Sequence, residues 1–298
     1  MSTKDKVLKA LEEKKGNYIS GEELAKTIGV SRNSVWKAVN ELKAVGYNID
    51  SVTNRGYSLS KTSDIISAQG IAAYLYNKDD ALNIEVYDEI ASTSRLAKEE
   101  AAMNNLNKRV IIAKTQTQGR GHGRKSFDSP EGGIYFSVII SPDFINMNYL
   151  PIYAAVVVSD VLGKTQSDIR IKWVNNIYLH DKKICGILTE NISDMETGEI
   201  SSFIIGIGVN CKIGNKNELI AEILNRLFYP EIYYPEDNII EIYQKRLLYM
   251  NERVKFLLRG KKETNFFATI LGVDEDGRLI VRLDDGIKRY LKKGEIID

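Results

Sequence analysis

Gln116-Thr-Gln-Gly-Arg-Gly-His-Gly-Arg-Lys-Ser-Phe-Asp-Ser-Pro-Glu-Gly-Gly-Ile-Tyr135 lies between two β-branched runs, Val110–Ile112 and Ile134–Ile140. That setting predicts a long loop joining two strands. Gly119, Gly121 and Gly123 allow the backbone to turn and to approach a ligand closely, while Arg120, His122, Arg124 and Lys125 interleave positive or titratable groups. A mobile cationic loop with no apolar anchor at its centre suits an anionic ligand that orders it on binding. The alternative is a solvated surface loop. Two phosphate motifs are excluded. The dinucleotide fingerprint needs glycine where Arg124 stands and a helix after the loop, and the nucleotide P-loop needs a Gly-Lys-Ser/Thr that is absent.

Upstream, Lys4–Lys15 carries Val7, Leu8 and Leu11 at helical spacing and closes at Gly16. Ser20 and Glu23 match a reciprocal capping box opening a short helix, and Gly29 supplies the turn. Ser31 then caps a third helix with Val35, Val39 and Leu42 on one face. Arg32, Asn33, Ser34 and Lys37 are left outward near its start. Tyr47–Asp50 and Gly56–Leu59 alternate as two strands around a tip containing Arg55. This is the pattern of a winged helix, so Ser31, Arg32, Asn33, Ser34, Lys37 and Arg55 are the candidate DNA-binding residues.

The 298 residues suffice for two or three domains, and 43% hydrophobic with 27% charged residues is ordinary for a globular chain. A net charge of +1 argues for no particular partner, but Met1–Thr62 holds eleven Lys or Arg against seven Asp or Glu. Cys185 and Cys211 are far apart and lack Cys-x-x-Cys spacing, so neither a zinc site nor a disulfide framework is expected. With no long apolar span or secretory signal, no membrane association is expected, and the expected address is cytoplasmic.

Downstream, Ala68–Tyr76 is predicted helical and Ile84–Tyr87 a strand. Ser92-Thr93-Ser94 precedes a helix over Arg95–Met103, whose start offers free N–H groups and hydroxyls. Leu150–Leu162 reads as an apolar helix. Ile169–Trp173 alternates as a strand, with Ile169, Ile171 and Trp173 on one face and Arg170 and Lys172 on the other. Lys183 begins a strand running to Glu190, and Phe203–Val209 forms another, followed by Asn210. Asn217–Leu227 and Asn238–Leu257 are predicted helices, and short strands from Phe267 onward predict a small antiparallel barrel.

Four blocks in this order resemble the bifunctional biotin protein ligases of the biotin-operon repressor type, over nearly the whole chain. Ser92-Thr93-Ser94 is similar to that family's Ser-Thr-Asn, and Gln116–Pro130 to its Gly-Arg-Gly-Arg loop. Lys172-Trp173-Val174-Asn175-Asn176 resembles Lys-Trp-Pro-Asn-Asp, and Lys183-Ile184-Cys185-Gly186-Ile187-Leu188 resembles Lys-hydrophobic-x-Gly-Ile-Leu. The resemblance implies an α+β chain. It would comprise an N-terminal winged helix (1–62), a central mixed α/β domain of the biotin/lipoate ligase type (63–258) and a C-terminal SH3-like barrel (259–298). It also implies formation of biotinoyl-5′-AMP from biotin and ATP with Mg²⁺, then transfer to a lysine of a biotin carboxyl carrier protein domain. Operator binding by a ligand-promoted homodimer would add biotin-responsive repression.

On matching positions the resemblance assigns biotin to Ser92, Thr93, Ser94, Gln116, Gly119, Arg120, Gly121, His122, Lys183 and Gly186. It assigns the nucleotide to Arg120, Lys172, Trp173, Asn175, Asn176 and Asn210, and the chemistry to Lys183 and Arg120. No protein metal ligand is assigned. Asn176 replaces the family aspartate, His122 stands where the loop usually has its second arginine, and the loop's later glycine is displaced. These departures leave open a second reading, a biotin- or adenylate-sensing repressor with little turnover. A lipoate-type adenylate-forming ligase is a third.

Overall fold

The computed structural model describes residues 1–77, 82–103, 108–123, 125–142, 149–193, 197–235, 238–258 and 264–297. Arg124 of the glycine loop lies outside the described residues. By internal packing the chain divides into two units, Met1–Val86 with Lys212–Phe228, and Tyr87–Cys211 with Tyr229–Asp298.

The first unit opens with α1 (Thr3–Glu13), α2 (Gly21–Ile28) and α3 (Arg32–Ala44). Serines fix all three starts: the hydroxyls of Ser2, Ser20 and Ser31 accept from the N–H groups of Asp5, Glu23 and Ser34, satisfying donors that have no partner within the helix. Gly29, at φ 75°, ends α2 in the left-handed region. The expected reciprocal box at Ser20 is not made, because the Glu23 carboxylate pairs with Lys14 at 2.7 Å. The reciprocal box occurs instead at Ser2 and Asp5. Val35, Val39 and Leu42 are buried with Val7, Leu8, Leu11 and Leu24 in one apolar cluster. A hairpin follows, β1 (Ile49–Val52) against β2 (Gly56–Leu59). The guanidinium of Arg55, in its turn, lies 4.1 Å from the centre of the Tyr18 ring.

A short helix, α4 (Ala68–Ala73), and a helix from far along the chain, Lys216–Phe228, complete this unit. Asn217 is the hub between them. Its side-chain oxygen accepts from the Ser67 N–H at 3.0 Å, and its amide donates to Ile65 O at 2.9 Å and to Glu12 Oε1 at 3.2 Å. Glu12 also pairs with Lys15, whose ammonium donates to Ser63 O. Gly70 lies so close to Asn217 that a Cβ there would be 2.3 Å from its amide nitrogen.

The second unit contains a seven-stranded sheet built from β3 (Asn83–Ile90), β4 (Arg109–Gln116), β5 (Ile134–Ile140), β6 (Ile169–Lys172), β7 (Asn176–Leu179), β8 (Lys182–Ser193) and β9 (Ile200–Val209). Its order is β3-β4-β5-β9-β8-β7-β6, and every pairing from β4 to β6 is antiparallel. Helix α5 (Thr93–Met103) buries Ala97 and Ala101 on Ile111, Ile139 and Ile204 of this sheet. Helix α6 (Leu150–Gly163) is apolar on all sides and buried accordingly.

After α7, the helix Lys216–Phe228, come α8 (Pro230–Tyr233) and α9 (Ile239–Arg246). The helix predicted over Asn238–Leu257 stops at Arg246. Leu247 turns extended, Tyr249 and Asn251 take φ 63° and 65°, and Leu248 donates to the Ile171 carbonyl. The remainder of that stretch becomes β10 (Arg253–Leu258), which joins β11 (Thr264–Val273), β12 (Leu279–Leu283), β13 (Lys288–Leu291) and β14 (Glu295–Ile297) in a five-stranded antiparallel sheet. Its order is β13-β12-β11-β10-β14, with a register shift at Ile270/Gly272. Among the described residues, no helix is long and apolar enough to cross a membrane.

Candidate active site

Register explains where a ligand fits in the second unit. In the pairing of β8 with β9, Gly186 faces Gly208 and Leu188 faces Gly206. Three glycines therefore strip one face of the central strands nearly to bare backbone. That is the face on which α5 begins, since a Cβ on Gly206 would be 3.6 Å from the Ser94 Cβ. A cavity of about 1080 Å³ opens there.

A chain of hydrogen bonds holds the start of α5 to the loop. The Ser137 hydroxyl donates to Thr93 Oγ1 at 2.8 Å, the Thr93 N–H and hydroxyl both donate to Gln116 Oε1, and the Gln116 amide donates to Ser129 Oγ. Below it, the Tyr135 hydroxyl shares its proton between Asn210 Oδ1 at 2.5 Å and Pro130 O at 2.8 Å. Burial and the nearby Asp128 push this phenol up to about 12, so it stays a donor at neutral pH. The Asn210 amide in turn donates to Asp128 O.

The glycine loop is more ordered than its composition suggests. Phe127 N–H donates to Gly119 O and Gly121 N–H to Lys125 O, which makes Gly119–Phe127 a small hairpin with its turn at His122–Gly123. It has an apolar anchor after all: a Cβ on Gly208 would lie 2.3 Å from Phe127 Cε1, and one on Gly186 2.7 Å from Cε2. The Phe127 ring thus sits on the glycine floor, with the Lys183 ammonium 5.6 Å from its centre. Lys125 pairs with Glu295 of β14 at 2.5 Å.

Gly208→Ala must therefore drive the ring off its seat. The expected result is a loss of about 1–3 kcal/mol in stability. Faster tryptic cleavage after Arg120 and Lys125, followed by gel, should accompany it.

Of the residues expected at the ligand, the cavity brings together Thr93, Ser94, Gln116, Arg120, Gly121, His122, Lys172, Trp173, Asn175, Asn176, Lys183 and Gly186. Ser92, Gly119 and Asn210 are not on its wall. Ser92 bonds Ser94, the Gly119 carbonyl accepts from Phe127 N–H at the base of the hairpin, and Asn210 holds Tyr135 and Asp128. Trp173 is 4% exposed, and its indole N–H donates to Gly277 O in the turn between β11 and β12, so it fastens the wall more than it presents a stacking face. Lys172, expected on the outer face of its strand, is buried with its ammonium 5.7 Å from the ring centres of Tyr178 and Tyr249. The Asn175 amide donates to Ile187 O. The pKa of Lys183 is lowered from the ordinary lysine value, first by burial and further by Lys125 and Lys172, with Cys185 acting the other way.

Sequence reasoning missed Phe127, Lys292, Lys293 and Glu295, which also line the cavity. Lys292 and Lys293, in the bend after β13, and Glu295, opening β14, could not be joined to the loop by spacing. In all, the described lining has six Lys or Arg side chains and one carboxylate, Glu295.

In the first unit, Arg32, Asn33, Lys37 and Arg55 are exposed as expected, and Ser34 is half-exposed. The Ser31 hydroxyl is engaged as the cap of α3.

Residues 3–58 match the HTH domain, 86–210 the biotin/lipoate A/B protein ligase family, and 249–297 the biotin protein ligase C terminal domain. The bifunctional ligase/repressor BirA of Bacillus subtilis (strain 168) is 30% identical over an alignment covering 97% of both chains. The chain belongs to the bifunctional biotin ligase/repressor family. The bifunctional ligase/repressor BirA of Escherichia coli (strain K12) is 27% identical over 94% of this chain and 93% of that one. The fold is shared with the solved biotin protein ligase from Aquifex aeolicus in complex with biotin and ATP. That likeness has a TM-score of 0.58 at 24% identity and covers 72% of this chain and 97% of that one. Asn176 and His122 both lie on the cavity wall.

Proposed function

We propose that the chain is an ATP-dependent biotin–protein ligase that also represses transcription in response to biotin. The observation that carries the reading is the cavity's charge: six cations against one carboxylate among the described lining residues, beside a glycine floor and a hydroxyl-lined helix start. Joining two anions requires such a set. A biotin carboxylate oxygen attacks the α-phosphorus of ATP and pyrophosphate leaves, and fixed cations stabilise the charge gathered at phosphorus. A lysine amine then attacks the mixed anhydride, losing a proton as AMP departs.

Lys183 holds the carboxylate and the phosphoryl oxygen formed from it, and Arg120 holds the phosphate side with Lys172. Ser94, Thr93 and Gln116 address the biotin head group, and the folded loop keeps water from the anhydride. Mg²⁺ arriving with ATP would screen the phosphate charge, and the side-chain oxygens of Asn175, Asn176 and Glu295 on the cavity wall would hold it; among the described residues no group of three His, Cys, Asp or Glu could hold a metal ion. The acceptor is a biotin carboxyl carrier protein domain in the cytoplasm. The first unit binds operator DNA as a ligand-promoted homodimer.

ATP–pyrophosphate exchange with purified protein, Mg²⁺ and biotin tests the ligase reading, and its absence would sink it. The sensor reading draws its support from Asn176, an amide where a carboxylate would help deprotonate the acceptor lysine. Asn176→Asp is accordingly expected to speed transfer from preformed biotinoyl-5′-AMP to carrier by about 5- to 50-fold. Single-turnover transfer separates the two steps.

A further inference from the structure

Trp36 is 54% exposed on α3, a placement that neither the loop chemistry nor the winged-helix core explains. The buried stripe of that helix, Val35, Ala38, Val39 and Leu42, passes it by, so the fold gains little from one of its largest apolar side chains. Arg32 lies one turn before it and Asn40 one turn after, with Asn33 and Lys37 beside it, and all four are exposed. No carboxylate occurs from Arg32 to Asn40. The positive end of the helix dipole adds to the charge of this face.

An apolar plate among cations and amides matches one surface in particular. The major groove of duplex DNA offers phosphates on both sides, hydrogen-bonding base edges between them, and the C5-methyl groups of thymine. A second copy of the same face would instead oppose like charges.

We propose that Trp36 is the apolar base-reading residue of the DNA-binding unit, packing its indole on thymine methyl groups and so fixing thymine positions in the operator. This rests on the DNA-binding part of the proposed function.

The test begins with selection of duplexes from a random-sequence pool by the full chain in biotin, ATP and Mg²⁺. Each thymine of the selected duplex is then replaced by deoxyuridine, which removes only the methyl group. The wild-type chain is expected to lose about 3- to 10-fold in affinity at one or two positions. Trp36→Ala should bind the selected duplex about 10- to 50-fold more weakly and lose that uracil sensitivity. Its affinity for an unrelated duplex, held by phosphate contacts, should not change, nor should its pyrophosphate exchange or melting temperature. Trp36→Phe should restore part of the sensitivity.

If Trp36→Ala keeps full affinity and sensitivity, the proposal is overturned while DNA binding stands. If it weakens self-association without DNA and leaves the uracil profile intact, the face belongs to a second copy and the proposal fails. If the wild-type chain retains no duplex, the DNA-binding reading falls and takes the proposal with it.

Discussion

Lys183→Ala is expected to reduce biotin-dependent ATP–pyrophosphate exchange by about 10²- to 10³-fold, the loss typical of removing one preorganised charge from a developing anion. Lys183 sits at the start of β8 over the Phe127 ring, near Lys125 and Lys172. Burial and these like charges lower its pKa from the ordinary 10.5, and an anion bound beside it would raise it again. Two signs follow. Exchange needs the ammonium and must fall as pH rises through the lowered value, short of a normal lysine's range; Lys183→Arg should push that alkaline limb upward.

Stability runs the other way. With the folded pKa depressed, the charged lysine destabilises the fold below that value, and the penalty fades as pH climbs toward 10.5. Lys183→Met, which keeps the stem and removes the charge, should therefore melt no lower than wild type at pH 7 while lacking exchange. A variant that loses exchange only because it unfolds would melt lower.

Asn217→Leu is expected to destabilise the first unit by about 2–4 kcal/mol, read as a shift in the urea midpoint. The substitution leaves the Ser67 N–H and the Ile65 carbonyl without their buried partner and takes one donor from Glu12. Glu12 already has a raised pKa, first from desolvation, with Lys15 and the Asn217 hydrogen bond pulling it down. Removing Asn217 raises it further. A carboxyl with a raised folded pKa is most favourable to folding below its unfolded value near 4.5, and its contribution is lost as pH rises through the folded one. The defect should therefore be larger at pH 7 than at pH 4.5, and equal defects at both would remove Glu12 from the explanation.

What was legible in the sequence was local. Ser20, Gly29 and Ser31 mark helix ends by contacts within four residues, so the winged helix could be read directly. The β-branched runs flanking the glycine loop likewise gave β4 and β5. Pairings across the sequence were not legible. Phe127 read as one more loop residue because its seat exists only when β8 and β9 bring Gly186 opposite Gly208. Glu295 meets Lys125 from 170 residues away. The bond from Asn217 to Glu12 spans 205 residues. The segment after Arg246 misled for another reason: its apolar spacing fits a helix as well as a strand, and the left-handed Tyr249 and Asn251 carry no glycine to announce the break.

The chain has two tryptophans, one in each unit: Trp36, largely open to water, and Trp173, enclosed and bonded to Gly277. Indole emission shifts with the polarity around the ring, so the native protein carries two separable optical reporters without any label. The red-shifted one would register events at the DNA-binding helix, and the blue-shifted one events at the cavity wall. Titrations with biotin, nucleotide and DNA on a single sample could then show which unit responds first.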